Sequence, residues 1–354
     1  MPVNRQWLLA ARPQGMVRDT DFRWHQTDVA PLRAGEFLVK SIYLSLAPVM
    51  RMYMLTTAAG EPPVELGAVM RGRGVGQIVD SRHAEWPVGA IVHGPLGWQD
   101  FATLKGDAPK LTFQVTQRIA PVSTALGVLG ITGFTAYVGL IDLCTPQTGD
   151  VVVVSGASGG VGSNVGQLAK IFGCTTIAIT GGGDKVALAT SRLGYDFAVD
   201  YAAGDVEGQL DRCCPQGVDV YFDNVGGPTL NSLLGRLRQY GRVALCGRIS
   251  EYVTGASPDY SGFANFVRRR ARIQGFFIYD YVGRFAHAEA AMARWLAEGR
   301  LIYQEDVLDG LEAMPRALRR LYESKNRGKQ IVRISEDPAG WPTHRSATGM
   351  RSLQ

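Results

Sequence analysis

Residues 151–162 read Val-Val-Val-Val-Ser-Gly-Ala-Ser-Gly-Gly-Val-Gly. The run of β-branched residues predicts a buried strand. A glycine-rich turn follows, and Gly162 opens a helical run through Lys170. Such a strand–turn–helix can seat a dinucleotide pyrophosphate. Glycines let the backbone approach the phosphates, and the helix start offers unpaired N–H groups and positive dipole. Ser158, Gly159, Gly160, Val161 and Gly162 are the expected phosphate-facing residues. The spacing Gly156-x-x-Gly159-x-x-Gly162 is a variant of the usual fingerprint, and its place after an all-valine strand gives it weight. The plainer alternative is a tight turn with no ligand.

The end of the next apolar segment points to the cofactor type. An NAD site usually places Asp or Glu there to bind both ribose hydroxyls. Here the chain reads Ile179-Thr180-Gly181-Gly182-Gly183-Asp184-Lys185. Thr180 and Gly181 leave room for a 2′-phosphate, and Lys185 can neutralise it, which favours NADPH. A solvated lysine in a first helical turn is the alternative for Lys185. Asp184 is expected at the helix start, facing solvent. Asn224, before Val225-Gly226-Gly227, can donate to and accept from a cofactor, or cap a turn. Cys246, followed by Gly247, reads as a small buried residue rather than a nucleophile, because no histidine lies near it in sequence.

The elements that must hold these residues alternate. Val151–Val154, Thr176–Thr180, Phe197–Asp200, Val218–Asp223, Gly241–Cys246 and Arg272–Phe277 read as strands between helical segments. Thr135–Leu140 reads as helical. That alternation implies a doubly wound parallel α/β sheet, which binds ligands beyond the carboxyl ends of its strands. The first third is different. Glu36–Leu44, Val75–Val79 and Ala90–Gly94 are short strands punctuated by Gly and Pro, as in a compact β-rich domain. Gln330–Ile334 reads as one more strand of that domain.

The chain has 354 residues, enough for two cores. A net charge of +5 is mildly basic, and its densest stretch, Arg268-Arg269-Arg270-Ala271-Arg272, reads as a solvated helix face. No aromatic–basic interleaving accompanies it, so no nucleic-acid partner is expected. Neither a membrane span nor a signal-peptide core is present, which predicts a cytoplasmic protein. The five cysteines show no disulfide framework. None precedes Cys144, and the five histidines are scattered, so no zinc site is expected.

Several separated blocks carry a resemblance. They are Leu44-Ser-Leu-Ala-Pro-Val-Met-Arg51, Val69-Met-Arg-Gly72, Gly94-Pro-Leu-Gly-Trp98 and Leu129-Gly-Ile-Thr-Gly-Phe-Thr-Ala-Tyr137. The glycine turn follows, then Tyr221-Phe-Asp-Asn-Val-Gly-Gly227, Cys246-Gly-Arg-Ile-Ser-Glu-Tyr252 and Asn326-Arg-Gly-Lys329. To about residue 334 the chain resembles the zinc-independent branch of the medium-chain dehydrogenase/reductase superfamily. Within it the chain is similar to the leukotriene B4 dehydrogenase/prostaglandin reductase family, which includes alkenal double-bond reductases and curcumin-reductase-like proteins.

The resemblance implies a Rossmann domain (residues 126–310) and a GroES-like barrel domain (residues 1–125 and 311–334), usually assembled as a homodimer. The tail 335–354 is expected to be poorly ordered. The implied activity is NADPH-dependent reduction of the carbon–carbon double bond of α,β-unsaturated aldehydes or ketones. Quinone reduction is the enzymatic alternative, and a non-catalytic NADPH-binding protein is the third reading. The resemblance assigns Lys185 and Tyr201 to the 2′-phosphate, and Asn224 and Asn326 to the cofactor. Phe276, Phe277 and Ile278 are expected to offer backbone contacts to the carboxamide. It sets Tyr252 beside the substrate carbonyl or the nicotinamide ribose. There a hydroxyl aimed at the developing enolate oxygen acts as a small oxyanion hole. Met50, Arg51, Tyr53, Trp98, Tyr260, Phe263 and Tyr279 are candidates to border the substrate cleft. In one place the chain departs from the pattern. The family's first block commonly reads Asp-Pro-Tyr-Met, whereas this chain has Ala47-Pro48-Val49-Met50, which implies a more apolar pocket.

Overall fold

The computed structural model describes residues 2–56, 62–106, 111–254 and 261–343. The N-terminal part contains β1 (Val3–Leu9), β2 (Phe22–Asp28), β3 (Glu36–Ser45), β4 (Gly74–Ser81), β5 (Ile91–Gly94), β6 (Phe101–Lys105) and β7 (Phe113–Gln114). β1 and β2 form an antiparallel pair. The others build most of a second, mainly antiparallel sheet, with β3 pairing both β4 and β6. Its interior holds Leu9, Phe37, Met50, Met54, Ile78 and Trp98, which meet the short helix Met50–Leu55.

The middle of the chain supplies β8 (Val151–Ser155), β9 (Thr175–Thr180), β10 (Phe197–Asp200), β11 (Val218–Asp223), β12 (Leu237–Leu245) and β13 (Arg272–Gly275). They form one parallel sheet in the order β10-β9-β8-β11-β12-β13. This is the expected doubly wound order, with its reversal between β8 and β11. Val152 and Val154 face one apolar layer and Val153 the other, and all three are fully buried. Burial of one such side chain contributes about 1.5–3 kcal/mol, which is why an unbroken valine run suits a strand covered on both sides.

Helix Gly162–Ile171 lies on this sheet. A side chain on Gly166 would come within 2.1 Å of the Tyr195 ring, so only glycine permits this approach. The Tyr195 hydroxyl donates to the Gly162 carbonyl at 2.7 Å and pins the helix start. The helix expected over 135–140 exists, but it begins earlier and changes pitch. An α-helix at Ile131–Tyr137 continues as a wider π-type segment, Val138–Cys144. Gly139 there packs directly under Phe222 and Phe276.

Three expectations are corrected. The chain re-enters the first domain at Glu305 rather than at residue 311. There β14 (Glu305–Asp309) pairs in parallel with β15 (Lys329–Arg333), which joins β3. The tail is not free from residue 335: the Ser335 hydroxyl donates to the Ser41 carbonyl at 2.8 Å, and Trp341 is buried beside Tyr43 and Ile331. An indole finds enough apolar surface there to anchor the segment. The arginine run is not one helix face. Phe266–Arg269 is a single turn, Arg270 adopts a left-handed conformation (φ +50°) and lies over the Tyr240 ring, and Arg272 begins β13.

Candidate functional site

The carboxyl ends of β8 and β11 meet at the reversal of strand order, and a buried carboxylate joins them. Asp223, wholly inaccessible, accepts from the Tyr221 hydroxyl at 2.6 Å, the Ser155 hydroxyl at 2.8 Å, and the Val225 and Gly226 N–H groups at 3.0 and 3.1 Å. Burial nevertheless outweighs these donors and raises its pKa. Ser155 in turn accepts from Asn224 N–H at 2.9 Å, and the Asn224 amide donates to the Ser155 carbonyl at 2.8 Å. Asn224 therefore ties the two strand ends together. Cys246 and Gly247 close over the same point through N–H bonds to the Asp223 carbonyl at 2.8 and 3.1 Å. Burial pushes the Cys246 thiol up to about 12, with Asp223 adding to it, so it remains a protonated packing group.

The glycine turn has the form a phosphate cradle requires. Gly156 is left-handed (φ +60°), and its carbonyl accepts from Gly159 N–H at 2.9 Å. A Cβ on Gly162 would sit 2.4 Å from that carbonyl. Val161 stands at the N-cap position of the helix that Gly162 begins and makes no side-chain cap bond there. Ser158 is buried and its hydroxyl shares a 2.7 Å bond with the Thr180 hydroxyl, so the turn and the end of β9 are locked together.

The expected 2′-phosphate corner converges on a turn of the other domain. A side chain on Gly181 would collide with the Tyr201 ring at 2.4 Å, which makes this a cradle that glycine keeps open. The Lys185 ammonium donates to the Ser324 carbonyl at 2.6 Å, and the Tyr201 hydroxyl donates to the Ser324 hydroxyl at 3.1 Å. Burial lowers the Lys185 pKa, and Arg327 lowers it further. Asp184 is mostly exposed, as expected, and pairs with Arg327.

The return segment closes the cradle. The Asn326 amide donates to the Gly328 carbonyl at 2.9 Å, and Gly328 N–H donates to the Ser158 carbonyl at 2.7 Å. Lys329, missed from the sequence as a site residue, is buried with its stem 3.1 Å from the Cβ position of Gly160. Its ammonium donates to the Leu46 carbonyl at 2.7 Å. Burial lowers its pKa to about 8, opposed by Glu305. Its place in the block Asn326-Arg-Gly-Lys329 was the available signal.

Tyr252 sits on the helix Ile249–Thr254, which docks on the turn after β11. The Ser250 hydroxyl donates to the Val225 carbonyl at 2.6 Å, and Gly227 N–H donates to Glu251 at 3.2 Å. The Tyr252 hydroxyl accepts one long bond, 3.5 Å, from Arg248 N–H. Burial raises its pKa, so the phenol stays protonated.

The remaining candidates divide. The Phe276 ring packs edge-on against Phe222 and Ile278 is buried, whereas Phe277 is exposed and packs edge-on against Tyr279. Phe263 is exposed and lies against Phe266. Tyr260 lies outside the described residues. Tyr53 packs beside the first-domain core with Arg71 over its ring. Trp98 and Met50 do not border a cleft here. Both are buried in the first-domain core around Gly72, where Trp98 packs against Phe22, because a large apolar side chain gains most from complete burial. Arg51 is also buried, and its guanidinium donates to the Gly15 carbonyl at 3.1 Å. Among the described residues no group of three or more His, Cys, Asp or Glu could hold a metal ion, and no helix is long and apolar enough to cross a membrane.

Comparison with known proteins agrees with this geometry. Residues 5–111 match the model for the N-terminal domain of oxidoreductase, and residues 160–298 match that for zinc-binding dehydrogenase. The chain is 38% identical over 340 residues to the NADPH-dependent curcumin reductase of Escherichia coli, covering 94% of this chain and 98% of that protein. It is 33% identical to the NADP(+)-dependent 2-alkenal reductase of Nicotiana tabacum, covering 94% and 98%. The crystal structure of CurA from Vibrio vulnificus in complex with NADPH superposes with a TM-score of 0.88 at 40% identity, covering 94% of this chain and 99% of that one.

Proposed function

We propose that this chain, which belongs to the zinc-independent double-bond-reductase branch of the medium-chain dehydrogenase/reductase superfamily, reduces the carbon–carbon double bond of small α,β-unsaturated ketones and aldehydes. It is an NADPH-dependent oxidoreductase acting on C=C bonds. The observation that carries the substrate reading is Tyr252. Its protonated, half-buried hydroxyl is held on a helix docked beside the Asn224–Gly227 turn, at the strand-order reversal.

Bound NADPH supplies the hydride that saturates the β-carbon. The protein's part is to hold, orient and polarise. The Gly156–Gly162 turn and the N-terminus of its helix bind the pyrophosphate. Thr180, Gly181, Lys185 and Tyr201 would hold the 2′-phosphate, Lys185 and Tyr201 from the places where they now meet Ser324. Asn224, Cys246, Gly247 and the backbone of Phe276–Ile278 border the nicotinamide, and Asn326 holds the return turn over the cradle. Tyr252 donates to the substrate oxygen as negative charge develops there. Burial keeps the phenol protonated, so it serves as a hydrogen-bond donor to that oxygen, and the α-carbon takes its proton from water, directly or through Tyr252.

The test is NADPH oxidation across a panel of enals, enones and quinones with product identification. Saturated ketones or aldehydes support the reading, and turnover of quinones alone overturns it. Tyr252→Phe keeps the ring and is expected to lower enone turnover by about 1–2 kcal/mol of transition-state stabilisation, the worth of one hydrogen bond shared with the ribose hydroxyl. NADPH binding should change less. Unchanged turnover, with hydride transfer rate-limiting, would reduce Tyr252 to packing. Lys185→Ala should raise the NADPH Michaelis constant roughly tenfold or more, since a charge-assisted contact contributes about 1.5–3 kcal/mol. NADH use should barely move, and equal use of both cofactors by the unaltered protein would defeat the assignment. A cytoplasmic homodimer is part of the same proposal. The edge strand β13 and the exposed Val267 and Phe277 offer an assembly surface, and the mass in solution decides it.

A further inference from the structure

The wall Ala47-Pro48-Val49 lacks polar side chains, yet its backbone is held by a hydroxyl from elsewhere in the chain. Tyr322 ends the helix Met314–Tyr322 of the return segment. Its hydroxyl donates to the Pro48 carbonyl at 2.8 Å and accepts from Arg51 N–H at 3.1 Å. The ring packs beside the core cluster that contains Met50, Met54 and Leu318. Two bonds to one oxygen span the start of the helix Met50–Leu55, where the first N–H groups have no partner within the helix. The same return segment reaches the wall again at Leu46 through Lys329 and the glycine turn through Gly328. Burial raises the Tyr322 pKa, Arg51 opposes it, and the Tyr252 phenol adds a smaller push upward.

We propose that Tyr322 is a positioning residue for substrate selection: by bracing Pro48 and Arg51, its hydroxyl fixes where the Ala47–Arg51 wall stands. This rests on the enone-reductase reading for the identity of the substrate, but not for the brace itself. Val49 and Ala47 offer no side-chain hydrogen bond of their own to the wall. Backbone bonds from Met50 N–H to the Ala47 carbonyl and from Arg51 N–H to the Pro48 carbonyl shape the turn, while Tyr322 ties it to the return segment, and wide or narrow enones should feel loss of that tie differently.

The test is Tyr322→Phe, which keeps the ring and removes the two bonds. Hydrogen exchange of the Arg51 amide, read on a peptide spanning residues 49–55, should quicken by roughly three- to tenfold, as expected for loss of a neutral hydrogen bond. The ratio of kcat/KM for a bulky diaryl enone to that for a short alkenal should shift by a similar factor, mainly through KM. NADPH affinity, followed by fluorescence, should stay as it is. Unchanged exchange overturns the brace. An unchanged substrate ratio overturns the selectivity role, as does a uniform fall in all activities together with NADPH affinity. If the unaltered protein reduces no enone, the functional reading fails, and the exchange measurement alone then decides the brace.

Discussion

Asp223→Ala is expected to destabilise the protein by about 3–5 kcal/mol, the range for removing one member of a buried, fully hydrogen-bonded network. The carboxylate is wholly inaccessible and accepts from two hydroxyls and two backbone N–H groups. Alanine leaves those donors facing a small void, and each buried unpaired group costs about 1–3 kcal/mol. Partial relaxation of the turn keeps the total below their sum. The loss should appear in urea or thermal unfolding, and with it weaker NADPH binding, because the Val225 and Gly226 N–H groups lose their acceptor and so does the Ser155 hydroxyl that holds Asn224. Asp223→Asn should fall between, since it keeps the shape but turns one acceptor into a donor. A cost under about 1 kcal/mol for Asp223→Ala would show that the network is not the hinge of the site.

Lys329 makes stability depend on pH in a way that can be isolated. Burial lowers its pKa in the folded protein to about 8, from 10.5 for the free side chain. Below pH 8 both folded and unfolded states carry the charge, and folding bears the full cost of burying it. Between pH 8 and 10.5 the folded state releases the proton while the unfolded state holds it, so this group makes stability rise with pH. Lys329→Met lacks the proton. The stability of the wild type relative to Lys329→Met should therefore increase by about 2 kcal/mol between pH 7.5 and 9.5, without added cofactor. Chemical denaturation of both proteins at the two pH values reads this directly. A constant difference across the range would mean that the buried ammonium is solvated or paired well enough to keep its ordinary pKa.

Much of the fold was legible because its signals are local. The valine run, the glycine turn and the alternating segments to Arg272 each carry a periodicity or a backbone requirement that neighbouring residues express by themselves. Thr180-Gly181 and Lys185 could be read as a phosphate corner for the same reason: the absence of an acid and the presence of a cation are properties of one short stretch. Boundaries were less legible. Nothing in Glu305–Asp309 alone reveals that it pairs with β15, and Trp341 is an anchor only because Tyr43 and Ile331 surround it. Met50 and Trp98 had the size and placement of cleft residues, but packing around Gly72 buries them, and burial is a sum over residues distant in sequence.

The sequence by itself determined the two-domain α/β class, the glycine turn after β8 and the lack of an acid at Thr180-Gly181 where β9 ends, because backbone geometry and side-chain type act within a few residues of one another. The tertiary structure decided which groups complete the site. Asp223 collects donors from β8, β11 and the turn after β11, Lys185 and Tyr201 meet Ser324, and Tyr322 and Lys329 reach Pro48, Arg51 and Leu46. Each of these last three contacts joins positions more than 270 residues apart. A hydrogen bond reports direction and distance in space, and no local pattern encodes which remote carbonyl will lie within reach once both domains have folded.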